Sequence, residues 1–166
     1  MASTSSSHPK ENTVEGNVTI QRPVEEVFAF YEHFDNLPRF LGDVMAVVQI
    51  APATFRWTIQ GPFGFRAMTV IKITEMRRNK LIRYETTGVA GLNGSWEIHF
   101  GPGPNVHETE VREVMRIPLG RLGRAALGLI GKSPLDEVSS NLHRLKEIIE
   151  TGRASDTSYS VAAKFD

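Results

Sequence analysis

The segment from Ser133 to Thr151, SPLDEVSSNLHRLKEIIET, constrains the fold more than any other part of this sequence. Apolar residues recur in it at steps of three and four, which is the spacing of a single stripe on an α-helix. Ser133 suits the N-cap, Pro134 the first helical position, and Gly152 the residue after the last turn. Such a helix needs an extended apolar surface to lie on. The stripe consists of Leu135, Val138, Leu142, Leu145 and Ile149.

The chain before this helix has the alternation and turn residues typical of antiparallel strands. After the first strand, residues 24–41 carry apolar side chains at helical spacing, and we expect Asn36 and Pro38 to divide them into two short helices. Residues 119–132 are expected to be partly helical. The predicted strands are 14–20, Val44–Ile50, Phe55–Gln60, Phe65–Thr74, Leu81–Thr87, Ser95–Phe100 and Glu108–Ile117.

This order of elements predicts an α+β helix-grip architecture. A curved antiparallel sheet of about seven strands would wrap around the long C-terminal helix, since only helices are long enough to cover one face of the sheet. The two short helices after the first strand would close one end. We expect one domain at residues 13–152, with disordered polar tails at 1–12 and 153–166.

Composition excludes several classes of function. The 19 basic and 19 acidic residues cancel, so the chain has no global field to attract nucleic acid or an anionic membrane. The least polar run, Leu122 to Gly131, is too short to span a bilayer, and no signal-peptide core is present at the N-terminus. We therefore expect a cytoplasmic protein without stable membrane insertion.

The sequence also lacks the motifs of metal, cofactor and nucleophile sites. There is no cysteine, and the five histidines show no metal-ligand spacing. No G-x-S-x-G elbow is present, and the glycines of GVAGLNG are not followed by a helix that would bind phosphate. We predict no metal, no cofactor and no assigned catalytic residue.

Several segments resemble the START-like helix-grip (SRPBCC) superfamily, and more closely its polyketide cyclase/dehydrase and coenzyme Q-binding START group. The resemblance covers residues 13–152 and rests on TVEGNVTIQRPVEEVFAFYEHFDNLPRFL, RWTIQGPFG at 56–64, GSWEIHF at 94–100 and LHRLKEIIETG at 142–152. It implies an incomplete barrel gripping the long helix, with an apolar cavity between them. Members of the group include carriers of lipids, quinones and hormones, and a minority of enzymes such as aromatic polyketide cyclases.

Alternation along each strand predicts which side chains face the long helix. The large aromatic residues among them suit either a filled core or a ligand pocket, and the sequence leaves both open. Glu97 and His99 should lie on the opposite face. The predicted ligand-binding residues are Trp57, Ile59, Tyr84, Trp96, Ile98, Phe100, Glu113, Met115 and Leu142.

Glu113 is the exception among these apolar positions, because it shares the register of Val111 and Met115. A buried carboxylate is costly unless it is protonated, paired or bound to a ligand. The alternative is a β-bulge that shifts the alternation by one residue and lets Glu113 reach solvent.

The sequence leaves three alternative functions open. The first is binding or carriage of a hydrophobic small molecule, such as a lipid, a quinone or a polyketide-like compound, in an internal cavity. The second is a cyclase or dehydratase in which Glu113 and Tyr84 are the candidate proton-transfer groups. The third is a homodimeric interaction module with a vestigial cavity, suggested by Met68, Val70 and Val114 on the face opposite the predicted core.

Overall fold

The order of strands and helices follows the predicted architecture. The computed structural model describes residues 12–60, 64, 66–87, 94–117 and 134–154, so residues 119–132 and nearly all of both predicted tails lie outside the described residues. The elements are β1 (Asn12–Ile20), α1 (Val24–Glu32), a 3-10 helix (Phe34–Arg39), β2 (Val44–Ala51), β3 (Thr54–Gln60), β4 (Arg66–Arg77), β5 (Leu81–Thr87), β6 (Ser95–Pro102), β7 (Thr109–Ile117) and α2 (Pro134–Thr151).

The strands form one antiparallel sheet of seven strands, in the order β1-β7-β6-β5-β4-β3-β2. Strands β2 to β7 follow one another as hairpins, and β1 completes the sheet beside β7. At the tip between β4 and β5, Asn79 adopts a positive φ of 57°, which asparagine tolerates better than most residues. The α+β helix-grip prediction is confirmed, with β1 and β2 as the two edges.

The break between the two short helices differs from the prediction. It lies at His33, whose backbone is extended, and Asn36 and Pro38 are inside the 3-10 helix. The Asn36 side-chain amide donates a hydrogen bond to the Phe30 carbonyl oxygen over 2.9 Å. This bond satisfies a carbonyl in the last turn of α1, so the helix can end before Asn36 is reached.

The helical bounds of α2 agree with the sequence, although the predicted N-cap Ser133 lies outside the described residues, and the buried stripe differs from the prediction at its ends. The helix begins at Pro134, and Gly152 follows it at φ 82° with its N–H bonded to the Ile148 carbonyl oxygen over 2.7 Å. The residues buried on α2 include Val138, Leu142, Leu145 and Ile148, whereas Leu135 is 53% exposed. These four residues follow one another at steps of four, three and three, so they lie on one side of the helix. Ile149 lies at the edge of that side.

The C-terminal half of α2 is tied to the chain around α1. The buried Arg144 side chain donates from Nε to the Phe40 carbonyl oxygen over 2.8 Å. Arg22 donates to the Glu150 carbonyl oxygen over 2.9 Å, and Lys146 donates to the Thr19 carbonyl oxygen over 2.7 Å. These contacts hold the C-terminal half of α2 beside the segments that flank the two short helices.

Candidate ligand-binding site

Glu113 lies on the inner face of the sheet, in the middle of β7. Strand β7 pairs in unbroken register with both neighbours, and Glu113 is opposite Gly16 on β1 and Ile98 on β6. No bulge shifts it to the outer face, so that alternative is wrong. Its side chain is buried with only 3% of the residue exposed.

The neighbouring glycine explains why α2 can lie so close to Glu113. A Cβ placed on Gly16 would lie 2.9 Å from Val138 Cγ1 and 3.2 Å from Leu142 Cδ1, both on α2. Any larger residue at this position would push the helix away from β1. The absence of a side chain at Gly16 therefore brings α2 over the strand pair that carries Glu113.

Burial dominates the electrostatics of Glu113. It raises the pKa of this carboxyl group from 4.5 to about 8, with a further contribution from the negative charge of Glu137 on α2. Within the described residues, neither a cation nor a hydrogen-bond donor lowers the pKa of Glu113. Glu113 is therefore a neutral carboxylic acid at neutral pH, able to donate a hydrogen bond.

Two buried tyrosines surround this acid. Burial raises the pKa of both Tyr31 and Tyr84, and the proximity of Glu113 raises each further. Tyr31 comes from α1 and Tyr84 from β5, so the two hydroxyl groups approach from different elements. In the described part of the chain, Tyr31 Oη has no hydrogen-bond partner of normal distance and angle, although the Tyr84 hydroxyl is near enough to affect its pKa.

Aromatic side chains extend the site from Tyr84 toward β3. Tyr84 stacks on Trp96 with ring centroids 5.4 Å apart and planes 10° apart, and its ring lies 5.8 Å from that of Trp57. Phe34 of the 3-10 helix reaches in and contacts Tyr84 at 5.7 Å and Trp57 at 6.3 Å. The indole Nε1 of Trp57 is buried and has no hydrogen-bond partner among the residues described.

Half-buried apolar residues occur at both ends of this inner face, and Val18 and Phe55 are those at the end where β1 finishes and β7 begins. At the end where β1 begins and β7 finishes, Val14, Ile59, Trp96 and Ile117 are only half-buried. The first turns of α2 lie at this end, since Val138 contacts Gly16 while Lys146, two turns later, reaches Thr19.

All nine predicted ligand-binding residues are buried or half-buried, and the eight on strands share one face. Trp57, Tyr84, Ile98, Phe100, Glu113, Met115 and Leu142 are buried, while Ile59 and Trp96 are half-buried. The ring of Phe100 packs against the rings of Phe28 and Tyr31 of α1, with centroids 5.2 and 5.8 Å apart. Their role in binding a ligand stays a prediction.

Sequence reasoning missed two residues of this site, Tyr31 and Phe34. Both belong to the apolar stripe of residues 24–41, which predicted a helix but gave no partner for it. Tyr31 is the one side chain of that stripe with a polar group. This is the signal in the sequence from which a polar centre could have been predicted.

The outer face carries charges, as predicted for Glu97 and His99. Glu97 accepts hydrogen bonds from Arg116 over 2.5 Å and contacts His99 Nε2 at 3.1 Å. Burial alone would raise the pKa of Glu97, but these bonds and the charges of Arg116 and Arg83 hold it below 4.5. This network is separated from Glu113 by the sheet.

The part of the chain that the structure describes contains neither a metal site nor a membrane-spanning helix. No cluster of three or more histidine, aspartate or glutamate side chains is arranged to hold a metal ion. No helix among the described residues combines the length and apolar character needed to cross a bilayer.

Comparison with solved structures supports the fold. A protein of Deinococcus radiodurans is similar at a TM-score of 0.66 and 24% identity, over 85% of this chain and 99% of its own. A START superfamily protein of Mycobacterium smegmatis is similar at a TM-score of 0.64 and 12% identity, over 83% of this chain and 97% of its own. A conserved protein of Geobacillus kaustophilus has a TM-score of 0.68 at 16% identity, over 83% and 95% of the two chains.

No curated protein matches the chain in sequence. The sequence model of one family, described as polyketide cyclase/dehydrase and lipid transport, matches residues 11–150. This match includes every described strand and almost all of α2, and it agrees with the START-like fold of the solved structures. The chain therefore belongs to the polyketide cyclase/dehydrase and lipid transport family.

Proposed function

We propose that this protein binds and carries a hydrophobic small molecule between the inner face of the sheet and α2. The observation that supports the proposal most strongly is the group of Glu113, Tyr31 and Tyr84, three polar side chains buried among aromatic residues beneath a helix. A core that serves stability alone gains nothing from a carboxyl group in this position. The lipid transport activity in the description of the family agrees with this proposal.

The energetics permit binding of modest affinity. Burying roughly 300 Å² of apolar ligand surface gives about 7 kcal/mol before the costs of association. Those costs are at least several kcal/mol, so burial of this area alone gives a dissociation constant of roughly millimolar order, and tighter binding needs a larger apolar ligand or added hydrogen bonds. A lipid, quinone or polyketide-like compound offers this area, and the predicted cytoplasmic location would give access to all three.

The direct test is to extract the purified protein with organic solvent and identify bound compounds by mass spectrometry. Met115, on the inner face opposite Trp96, and Met68, on the outer face, provide matched substitutions. We expect Met115→Trp to reduce the extracted ligand by filling the site, and Met68→Trp to leave it unchanged. Circular dichroism melts would verify that both variants fold. Empty wild-type extracts, with no binding of quinones, fatty-acyl compounds or polyketide-like compounds, would contradict the proposal.

A second candidate is a cyclase or dehydratase, and the pKa of Glu113 favours it. A carboxyl group with a pKa of about 8 holds its proton at neutral pH and can act as a general acid there. The raised pKa of Tyr84 makes its hydroxyl a hydrogen-bond donor rather than a base. On a polyketide-like substrate that turns over, Glu113→Gln should lower kcat by about 100-fold or more. Unchanged turnover would remove Glu113 from the chemistry.

A third candidate is a homodimeric interaction module. Met68 on β4 is 66% exposed, and Val48 lies on the same outer face of the edge strand β2, two strands away. Exposed apolar side chains on an edge strand favour association with another chain. Val70 is half-buried and Val114 is buried, so the three residues that suggested this role do not form one exposed patch.

A further inference from the structure

We infer that the centre of this site selects ligands that present a neutral hydrogen-bond acceptor, such as a ketone, quinone or ester carbonyl, and rejects carboxylate anions. The inference specifies the ligand class of the proposed function and rests on it.

Two buried donors carry the first part of the inference. Trp57 Nε1 can donate a hydrogen bond but cannot accept one, and it has no partner among the described residues. The Tyr31 hydroxyl differs, because the Tyr84 hydroxyl lies close enough to accept a weak hydrogen bond from it, although no acceptor meets normal hydrogen-bond geometry in that part of the chain. Buried donors without acceptors are costly, so both groups are suited to a ligand that brings an acceptor oxygen.

The ring contacts connect these donors to the acid. Trp57 contacts Tyr84, Tyr84 lies close to Tyr31, and both tyrosines lie near Glu113. In its neutral form the Glu113 carboxyl group adds a third donor to the same centre. A carbonyl oxygen has two lone pairs, so a ligand oxygen can satisfy a buried donor that the fold leaves without an acceptor.

The second part of the inference, the rejection of carboxylate anions, rests on the charges around Glu113. The titratable groups that face it are Tyr31 from α1, Tyr84 from β5 and Glu137 from α2, while the adjacent strands contribute Gly16 and Ile98. Within the part of the chain that the structure describes, none of these groups is a cation. A fatty-acid or aromatic carboxylate would therefore place its charge beside an acid and gain no opposite charge, which is unfavourable in a buried site.

The inference predicts a direction for the effect of pH. A neutral carbonyl ligand is bound by the protonated form of Glu113, so its affinity should fall as Glu113 ionises. With a pKa of about 8, near pH 9 roughly nine-tenths of the acid would be ionised and affinity should fall by up to about tenfold. A cationic amine would show the opposite trend, because it pairs with the ionised carboxylate.

Isothermal titration calorimetry with four probes on one naphthalene skeleton tests this. The probes are 2-acetylnaphthalene as the ketone, 2-ethylnaphthalene as the hydrocarbon of the same shape, 2-naphthoate as the anion and 2-naphthylmethylammonium as the cation. At about pH 6.5 we expect the ketone to bind about tenfold more tightly than the hydrocarbon, and more tightly still than the anion. Ketone affinity should fall between about pH 6.5 and about pH 9.

Three variants locate the effect. Glu113→Gln keeps a neutral donor, so it should bind the ketone with little dependence on pH. Tyr31→Phe and Trp57→Phe each remove one donor and keep an aromatic ring, so they should weaken binding of the ketone several-fold more than binding of the hydrocarbon.

Equal binding of ketone, hydrocarbon and anion, or preference for the cation, would overturn the inference and leave the proposed function intact. Failure of all four probes to bind would overturn the proposed function itself, and the inference with it. The wild-type measurements decide between these outcomes even if a variant does not fold.

Discussion

A single residue, Glu113, sets the chemistry of the inner face. Its position in the alternation of β7 was predictable, because Val111 and Met115 flank it at steps of two. Its burial was not predictable from that strand alone. The burial of Glu113 depends on the unbroken pairing of β7 with β1 and β6, and on Gly16, which lies opposite Glu113 on β1. Both are contacts between residues far apart in the sequence.

The first prediction concerns the stability cost of this acid. The pKa of Glu113 is raised above its unfolded value of 4.5 to about 8, so the folded state binds more protons than the unfolded state between these values. Stability from this group is therefore full below about pH 4.5, falls as pH rises and is lowest above about pH 8. At about pH 9, we expect Glu113→Gln to unfold at a higher urea concentration than wild type. Its free energy of unfolding should be larger by roughly 3–5 kcal/mol.

The comparison of wild type and variant cancels the pH dependence of the other groups. Glu97 and Glu150, whose pKa values are lowered by their cationic partners, remain in both proteins. A difference between the two proteins that stays constant from about pH 5 to about pH 9 would show that Glu113 titrates normally.

The second prediction concerns the Tyr31 hydroxyl, which is buried without a partner of normal geometry among the described residues. Tyr31→Phe removes a polar atom that the fold does not satisfy, so the ligand-free protein should be as stable as wild type or up to about 1 kcal/mol more stable. Urea unfolding of ligand-free protein measures this. A loss of more than about 1 kcal/mol would mean that the hydroxyl has an acceptor in solution. Such a gain beside weaker ketone binding is the trade-off expected of a binding residue.

At the scale of secondary structure, the sequence predicted the strands and the ends of α2 well. Local signals explain this, since proline at Pro134 and a left-handed glycine at Gly152 define helix ends without reference to the rest of the fold. The predicted break at Asn36 and Pro38 was wrong, because the break lies at His33. The predicted stripe differs at its ends, where Leu135 is exposed and Ile148 is buried. Both are set by tertiary contacts, namely the approach of α2 to β1 and the bond from Asn36 to Phe30.

The third prediction tests the contact between α2 and β1. A methyl group at Gly16 would meet Val138 at 2.9 Å, so Gly16→Ala should destabilise the protein by about 1–3 kcal/mol. Gly101 on β6 is the matched control, since a Cβ there has no atom within 4 Å and Gly101→Ala should be neutral. Adding Val138→Ala to Gly16→Ala removes the close methyl group.

The double variant should therefore show a favourable coupling energy in a double-mutant cycle measured by urea unfolding. Strictly additive effects, or equal costs at Gly16 and Gly101, would show that the helix does not rest on this glycine.

At the scale of the whole molecule, the hairpin order of strands followed from the sequence, whereas the way the inner face is shared did not. The main contacts of α2 are with β1 and β7, while Phe34 of the 3-10 helix covers Trp57 on β3. The sequence predicted that the apolar face of the strands points at the long helix, with the two short helices at one end. Which helix covers which strand depends on the curvature of the sheet, which no local pattern encodes.

The fourth prediction separates the interaction role from the carrier role. A homodimer formed through the outer face of β2 and β4 would scatter light at about twice 18.5 kDa, and Met68→Lys should lower that mass. A constant mass near 18.5 kDa in both proteins at micromolar concentration would contradict the interaction role and leave the carrier role untouched.

The central claim is that an apolar ligand binds between the inner face and α2. The most direct measurement is a methyl NMR titration of the isoleucine, leucine and valine side chains with 2-acetylnaphthalene. We predict saturable shifts at Ile98, Val111 and Leu142, which line the inner face, and none at Val48 and Ile50 on the exposed edge strand. Shifts concentrated at Val48 and Ile50, with Ile98, Val111 and Leu142 unchanged at saturation, would contradict the account.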